Sequence, residues 1–319
     1  LIHSLHPFLG HPILGRRAFL AGTGTSLAAL ALGGCQTVQG FANDPTQLLG
    51  MVQQVQSAAN LTPADEQALG EGLYPRLIAA SGGAYPNNRV QSAVRRFAEP
   101  LFRVSKRSFH WEITVLDDNT PNAWSLPGGK LGINKGMLRY TASEAELAAV
   151  ISHEMGHAEL SHQIAELNNK GQIAKAFSFV KDAAQTEIDA KVGGLHEITS
   201  RGLDAMMPAV VELVTSGYSR DHEREADANI LVVFRATGYD PRQASAVFKT
   251  LDSLVPPGED KTTSLFSSHP DTRERIELID AAAARLPAGS GGGGAAAFDD
   301  IKAVFPTRRY YLRNPAEAS

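Results

Sequence analysis

The chain has 319 residues, 43% of them apolar and 20% charged, which is enough for one sizeable buried core with small appendages. Its formal net charge is -4 and its basic residues are dispersed, which argues against a phosphate-binding surface and so against a nucleic-acid partner. With a single cysteine the chain can form no intramolecular disulfide and no cysteine-rich metal module, so a metal site has to be built from His, Asp and Glu.

The first element is an export signal over residues 1–34. Arg16-Arg17 precede an apolar run that reaches Leu32, and Leu32-Gly33-Gly34-Cys35 follows. Small residues before Cys35 suit cleavage after Gly34 and a lipid-modified amino terminus at Cys35, which would tether the protein to a membrane. The run from Ala18 to Gly34 contains Gly, Thr and Ser and is short for an uncleaved span. The paired arginines are similar to a twin-arginine export signal. Gln36, in place of the aspartate of inner-membrane lipoproteins, points by the same kind of resemblance to the periplasmic side of a bacterial outer membrane.

Residues 35–60 read as a tether and a first helix, Asp44 to Asn60. A main domain over 61–286 follows, opening with helical spacing in Pro63 to Ala80 and Asn88 to Lys106. Thr62 before Pro63 predicts a capped helix start. From His110 to Leu116, Trp111, Ile113 and Val115 alternate with polar neighbours, which predicts a strand. Pro121 and Pro127-Gly128-Gly129 then punctuate a turn-rich hairpin that ends near Asn134. Helices dominate to about Arg285. Residues 287–297 read as a flexible glycine-rich linker with nothing to bury, and the tail, 298–319, is expected to dock back as a strand or to bind a partner.

Ser143 and Glu146 form a capping-box pattern, and Leu147, Val150, Ile151, Met155 and Ala158 continue at helical spacing, predicting a helix from about Ser143 to His162. On it lie His153, Glu154 and His157. Four residues make slightly more than one turn, so both imidazoles share a face and can grip one ion. Glu154, one step round, can take a proton from an activated water. Gly156 leaves room for another element to pack close. His162, five residues beyond His157, lies about 140° round an ideal helix and reads as a supporting polar residue.

Such a site needs a third protein ligand. Ser219 can cap a helix on which Glu223 and Asp227 share one face, although an ordinary charged face has the same spacing. Glu223 could complete the metal set and Asp227 could orient a ligand imidazole.

His153-Glu154-Met155-Gly156-His157, Ser219-Arg220 with Glu223, Ala226 and Asp227, and His269-Pro270 with Arg275-Ile276 together resemble the metallopeptidase family of HtpX and the CAAX prenyl protease. Asn122-Ala123-Trp124, Pro127-Gly128-Gly129 and Gly136-Met137-Leu138 are similar to that family's substrate hairpin. The resemblance covers about Leu61 to Arg285. It implies a mostly helical α+β, zincin-like fold with a small sheet and an edge hairpin, one Zn2+ per chain, Glu223 as third ligand, and endopeptidase activity.

Without spanning helices or helical repeats in the mature chain, the sequence is most similar to the lipoprotein branch of LoiP and BepA, which implies quality control of envelope proteins. Related lipoproteins carry a histidine to the metal from the loop that corresponds to His269. That residue is therefore expected either as a fourth ligand or as an oxyanion donor, with His222 and Arg220 as other donors. An extended or misfolded polypeptide is expected to add as a strand beside Gly129, Lys130, Leu131, Gly132, Ile133 and Asn134. Trp124, where Phe is commoner in the family, would alter a pocket. The competing function is a zinc-stabilised chaperone or assembly factor with latent or no proteolysis.

Overall fold

Thr62 caps the first helix, α1 (Pro63–Ala80), by accepting from Asp65 N at 3.2 Å while the Asp65 carboxylate accepts from Thr62 N at 2.8 Å. The computed structural model describes residues 61–173, 193–252, 269 and 272–307; the expected leader, Cys35, the helix over 44–60 and the end of the tail lie outside them. Asn87 caps α2 (Asn88–Phe102), whose Val90, Val94, Phe97 and Leu101 are all buried along one stripe.

Three strands form the sheet: β1 (Glu112–Leu116), β2 (Ala123–Leu126) and β3 (Lys130–Asn134). Their order is β1-β3-β2, with β3 parallel to β1 and antiparallel to β2. Period-two alternation sends Ile113, Val115, Ala123, Leu131 and Ile133 into one apolar cluster and Leu116, Trp124 and Leu126 into another. The first cluster is shared with α4 (Glu144–Glu159) and α7 (Arg220–Thr237), the second with α1 and α6 (Gly193–Ser216). Between these run α3 (Lys135–Tyr140) and α5 (His162–Asn169), and α8 (Ala246–Asp252), α9 (Thr272–Ala283) and α10 (Ala295–Val304) follow α7. This is the expected α+β arrangement, and no helix among the described residues is long and apolar enough to cross a membrane.

Three local expectations change. The helix predicted to reach His162 stops at Glu159, because Ser161 takes a left-handed conformation with φ of 56°. A buried ion pair holds this break: Arg107 meets Glu66 at 2.6 Å and donates to the Glu159 carbonyl at 2.9 Å, while Ser161 Oγ donates to Glu66 at 2.9 Å. At the other end of α4, Ser143 accepts from Glu146 N as expected, but the Glu146 carboxylate reaches past it to Ala142 N at 2.8 Å.

The linker and tail change most. Gly292 lies so close to the Tyr239 ring that a Cβ there would come within 2.0 Å of it, so this glycine permits close packing, and Gly291 N donates to Gly238 O at 3.0 Å. The tail returns as a helix and not as a strand: Phe298, Ile301 and Phe305 have the three-and-four spacing of one helical face. Phe298 meets Phe97 at 6.2 Å between centroids and Phe305 meets Tyr85 at 5.3 Å.

Lys302 of α10 donates to the Leu138 carbonyl at 2.6 Å, and burial, only partly offset by Glu146, lowers its pKa from 10.5 to about 8. Between those two values the unfolded chain binds more protons than the folded one, so this residue makes stability rise with pH across that window. Urea midpoints measured from pH 8 upward should therefore climb more in the wild type than in Lys302→Met; parallel curves would show that the ammonium is not held this way.

Candidate metal centre

α4 crosses α7 at Gly156. A Cβ there would lie 2.8 Å from Ala226 Cα and 2.9 Å from Asn229 Cβ, so the contact is one that only glycine permits. Asn229 fixes the pairing by donating to the Ser152 carbonyl at 2.8 Å. The acidic first turn of α7, capped by Ser219, is thereby brought against the buried face of α4 that carries His153 and His157.

Four side chains converge there. His153, His157, Glu223 and His269 each offer one ligand atom, these atoms lie within 4.8 Å of one another, and all four residues are buried. His153 Nε2 is 3.1 Å from His157 Nε2, 3.4 Å from Glu223 Oε2 and 3.2 Å from His269 Nδ1. Glu223 Oε1 is 3.5 Å from His157 Nε2 and 2.9 Å from His269 Nδ1. Ligand bonds of about 2.0–2.1 Å around a tetrahedral divalent ion place neighbouring donor atoms about 3.3 Å apart, which is the spacing found. Four buried donor atoms sharing one centre, three from imidazoles and one from a carboxylate, make a donor set suited to a divalent cation. The residues present fit a metal ion.

Charge around these atoms is balanced by Arg275 of α9. It donates to Asp227 through Nε at 2.8 Å and Nη2 at 2.7 Å, and Nη1 meets Glu223 Oε2 at 2.7 Å. Burial opposes ionisation of Glu223, but His269 and Arg275 hold its carboxyl well below the usual range. Asp227 behaves alike: burial raises it, yet Arg275, with His153, brings it below its ordinary value. Asp227 Oδ1 lies 3.1 Å from His153 Nδ1, which leaves Nε2 of that ring toward the other ligand atoms. Burial disfavours a charge on His153, but Asp227 and Glu223 together raise it to about 9; for His157 burial wins and lowers it to about 3.

Glu154 points toward the sheet. Its Oε2 accepts from Ser125 Oγ of β2 at 3.0 Å, Ser125 Oγ accepts from Gln163 at 2.8 Å, and Oε1 lies 3.5 Å from His269 Nε2. The other expected donors sit elsewhere. His222 stacks on His162 at 4.2 Å and faces Glu166 at 2.9 Å, and Arg220 is exposed at the start of α7. Tyr218 stacks on His157 at 3.9 Å, with its hydroxyl buried beside Gln163.

Ser125, Gln163 and Tyr218 were not legible as site residues, and Arg275 stood only as part of a motif. The alternation of Ser125 between the apolar Trp124 and Leu126 was the available signal for an inward polar group. Trp124 faces α1, edge-on to Tyr74 at 6.1 Å, so it lies on the opposite side of the sheet from Glu154. Gly129 to Asn134 also requires correction as a docking edge: β3 is the central strand, paired on both sides, and has no edge to offer.

Comparison with known proteins agrees with this geometry. Residues 84–283 match peptidase family M48. The chain is 32% identical over 169 residues to the mitochondrial metalloendopeptidase OMA1 of Arabidopsis thaliana, covering 53% of this chain and 31% of that one. It is 25% identical over 253 residues to metalloprotease YcaL of Escherichia coli, covering 79% and 92%, and 26% identical over 253 residues to metalloprotease LoiP of the same organism, covering 79% and 91%. Thus the chain spans about a third of the Arabidopsis protein's length and about nine-tenths of the bacterial ones.

Arg275→Met would leave two buried carboxylates without their counter-charge. In the metal-free protein it should cost about 3–5 kcal/mol of stability, read as a lower urea midpoint; an unchanged midpoint would contradict the charge balance described.

Proposed function

Because this chain belongs to peptidase family M48, we propose that it is a zinc-dependent endopeptidase in which His153, His157 and Glu223 hold one Zn2+ and Glu154 is the general base. The observation that carries the reading is the convergence of two imidazoles and a carboxylate at tetrahedral spacing beside a second carboxylate that binds none of them. When bound, zinc polarises a scissile carbonyl and makes water acidic enough to lose a proton near a pH of about 7. Glu154 takes that proton and returns it to the leaving amide nitrogen. Ser125 holds one oxygen of Glu154 so that the other faces the reacting groups. Asp227 keeps the proton of His153 on Nδ1, away from the ion.

An extended polypeptide docks on the outer edge of β2. Asn134 N donates to Asn122 O, so along β2 the backbone groups of Trp124 and Leu126 turn toward β3 and those of Ala123 and Ser125 turn outward. Strand addition there uses backbone bonds and tolerates many sequences, as an enzyme acting on misfolded proteins requires. The leader over 1–34 and lipidation at Cys35 place the enzyme on the periplasmic face of a bacterial membrane, the outer membrane by Gln36, with periplasmic or outer-membrane proteins as substrates.

His269 Nδ1 sits among the ligand atoms and its Nε2 faces Glu154, which supports a resting form in which this histidine fills the fourth position and blocks water. A latent site also suits the second reading, a zinc-stabilised chaperone of envelope proteins. Digestion of casein by purified protein separates the two. Glu154→Gln should keep its zinc and lose at least about 10²-fold in cleavage, whereas cleavage equal to wild type would refute the assignment of the base. His269→Ala should cleave faster than wild type, and unchanged activity with unchanged metal coordination would remove the latent form.

A further inference from the structure

Behind His157, on the side away from the ligand group, runs a second chain of polar contacts that the reading above does not use. His157 Nδ1 lies 2.9 Å from His162 Nδ1, and His162 Nε2 lies 2.9 Å from Glu225 Oε2. All three residues are buried: His157 is 0%, His162 2% and Glu225 8% exposed. The break at Ser161 makes this contact possible, since it starts α5 at His162 and turns that ring back onto α4. His222 stacks flat against the other face of His162 at 4.2 Å and keeps the ring in place.

We infer that His162 and Glu225 are positioning residues that fix the tautomer of His157. The inference rests on the metal-site reading. Two proton arrangements satisfy the observed distances. In one, His157 Nδ1–H donates to His162 Nδ1 and His162 Nε2–H donates to Glu225; in the other every bond is reversed and the His157 proton sits on Nε2, where it blocks the ion. A metal held by His157 Nε2 would leave only the first arrangement, in which His162 Nδ1 gives the His157 Nδ1–H its acceptor and a Glu225 oxygen accepts from His162 Nε2–H. Each ligand histidine thus has its own carboxylate support from α7, direct for His153 through Asp227 and relayed for His157 through His162. Charge on His162 is disfavoured by burial, with His222 and His157 adding to the effect, in keeping with a neutral ring that passes on one orientation.

Zinc affinity by competition with a chelator, measured together with urea unfolding of the metal-free proteins, tests this on the full chain. His162→Leu fills the space without an acceptor and should weaken zinc binding by about 10–100-fold. His162→Asn places an amide oxygen where Nδ1 stood and should recover most of that loss even if both variants are equally destabilised. In the zinc-loaded wild type, nitrogen-15 spectra should show the His157 proton on Nδ1. Equal zinc affinity in wild type and His162→Leu, or equal losses in the two variants, would overturn the relay while leaving the metal site intact; a proton on His157 Nε2 would overturn both. A wild-type chain that takes up no zinc would overturn both.

Discussion

The close approach of α4 and α7 at Gly156 is the constraint on which the rest depends. His153 and His157 come from one helix and Glu223 from another, 66 residues further along the chain than His157. Only a residue without a Cβ lets the α7 backbone near Ala226 settle against α4, and that distance sets how far the Glu223 carboxylate reaches. The Asn229 bond to the Ser152 carbonyl then fixes the register between the helices. Apolar packing secures the arrangement, since Val150, Ile151, Met155, Ile230, Leu231 and Phe234 belong to the same cluster.

Placing this many ionisable groups out of water would be costly without compensation. Arg275 supplies much of it by bridging Glu223 and Asp227, and its guanidinium also lies 4.7 Å above the Phe248 ring. The same arginine limits Glu223 geometrically. With Oε2 held by Arg275, Oε1 remains the freer oxygen toward His157 and His269. Electrostatic balance and ligand orientation are in this way properties of one buried network, tied to α9 as well as to the two helices that carry the ligands.

Periodicity made much of this legible. The α4 face with its two histidines could be read from spacing, because it is a property of a single helix; spacing also put Glu223 and Asp227 on one face of α7, but the choice of that face over an ordinary charged one needed the histidine pair and the family resemblance. What spacing could not give is how separate elements meet. The central position of β3 depends on a parallel pairing with β1, which no local pattern encodes, so the lack of a free edge on β3 could not be read from its sequence. Ser125 becomes relevant only once the sheet is laid across α4. His162 was judged from an ideal helix that in fact breaks one residue earlier, under the pull of an Arg107–Glu66 pair formed by residues far away in sequence. The tail was expected to dock as a strand or bind a partner, although Phe298, Ile301 and Phe305 have helical spacing; in the glycine-rich stretch read as a linker with nothing to bury, Gly289 and Gly292 pack against Tyr239.

A side-by-side zinc titration of the wild-type chain and Gly156→Val tests the central claim most directly. The account predicts one tightly held zinc per wild-type chain and a loss of at least about tenfold in affinity for the variant, with helical content retained, because the added side chain moves Glu223 away from the two imidazoles. Equal affinity in the two proteins, or no stoichiometric zinc in the wild type, would contradict it.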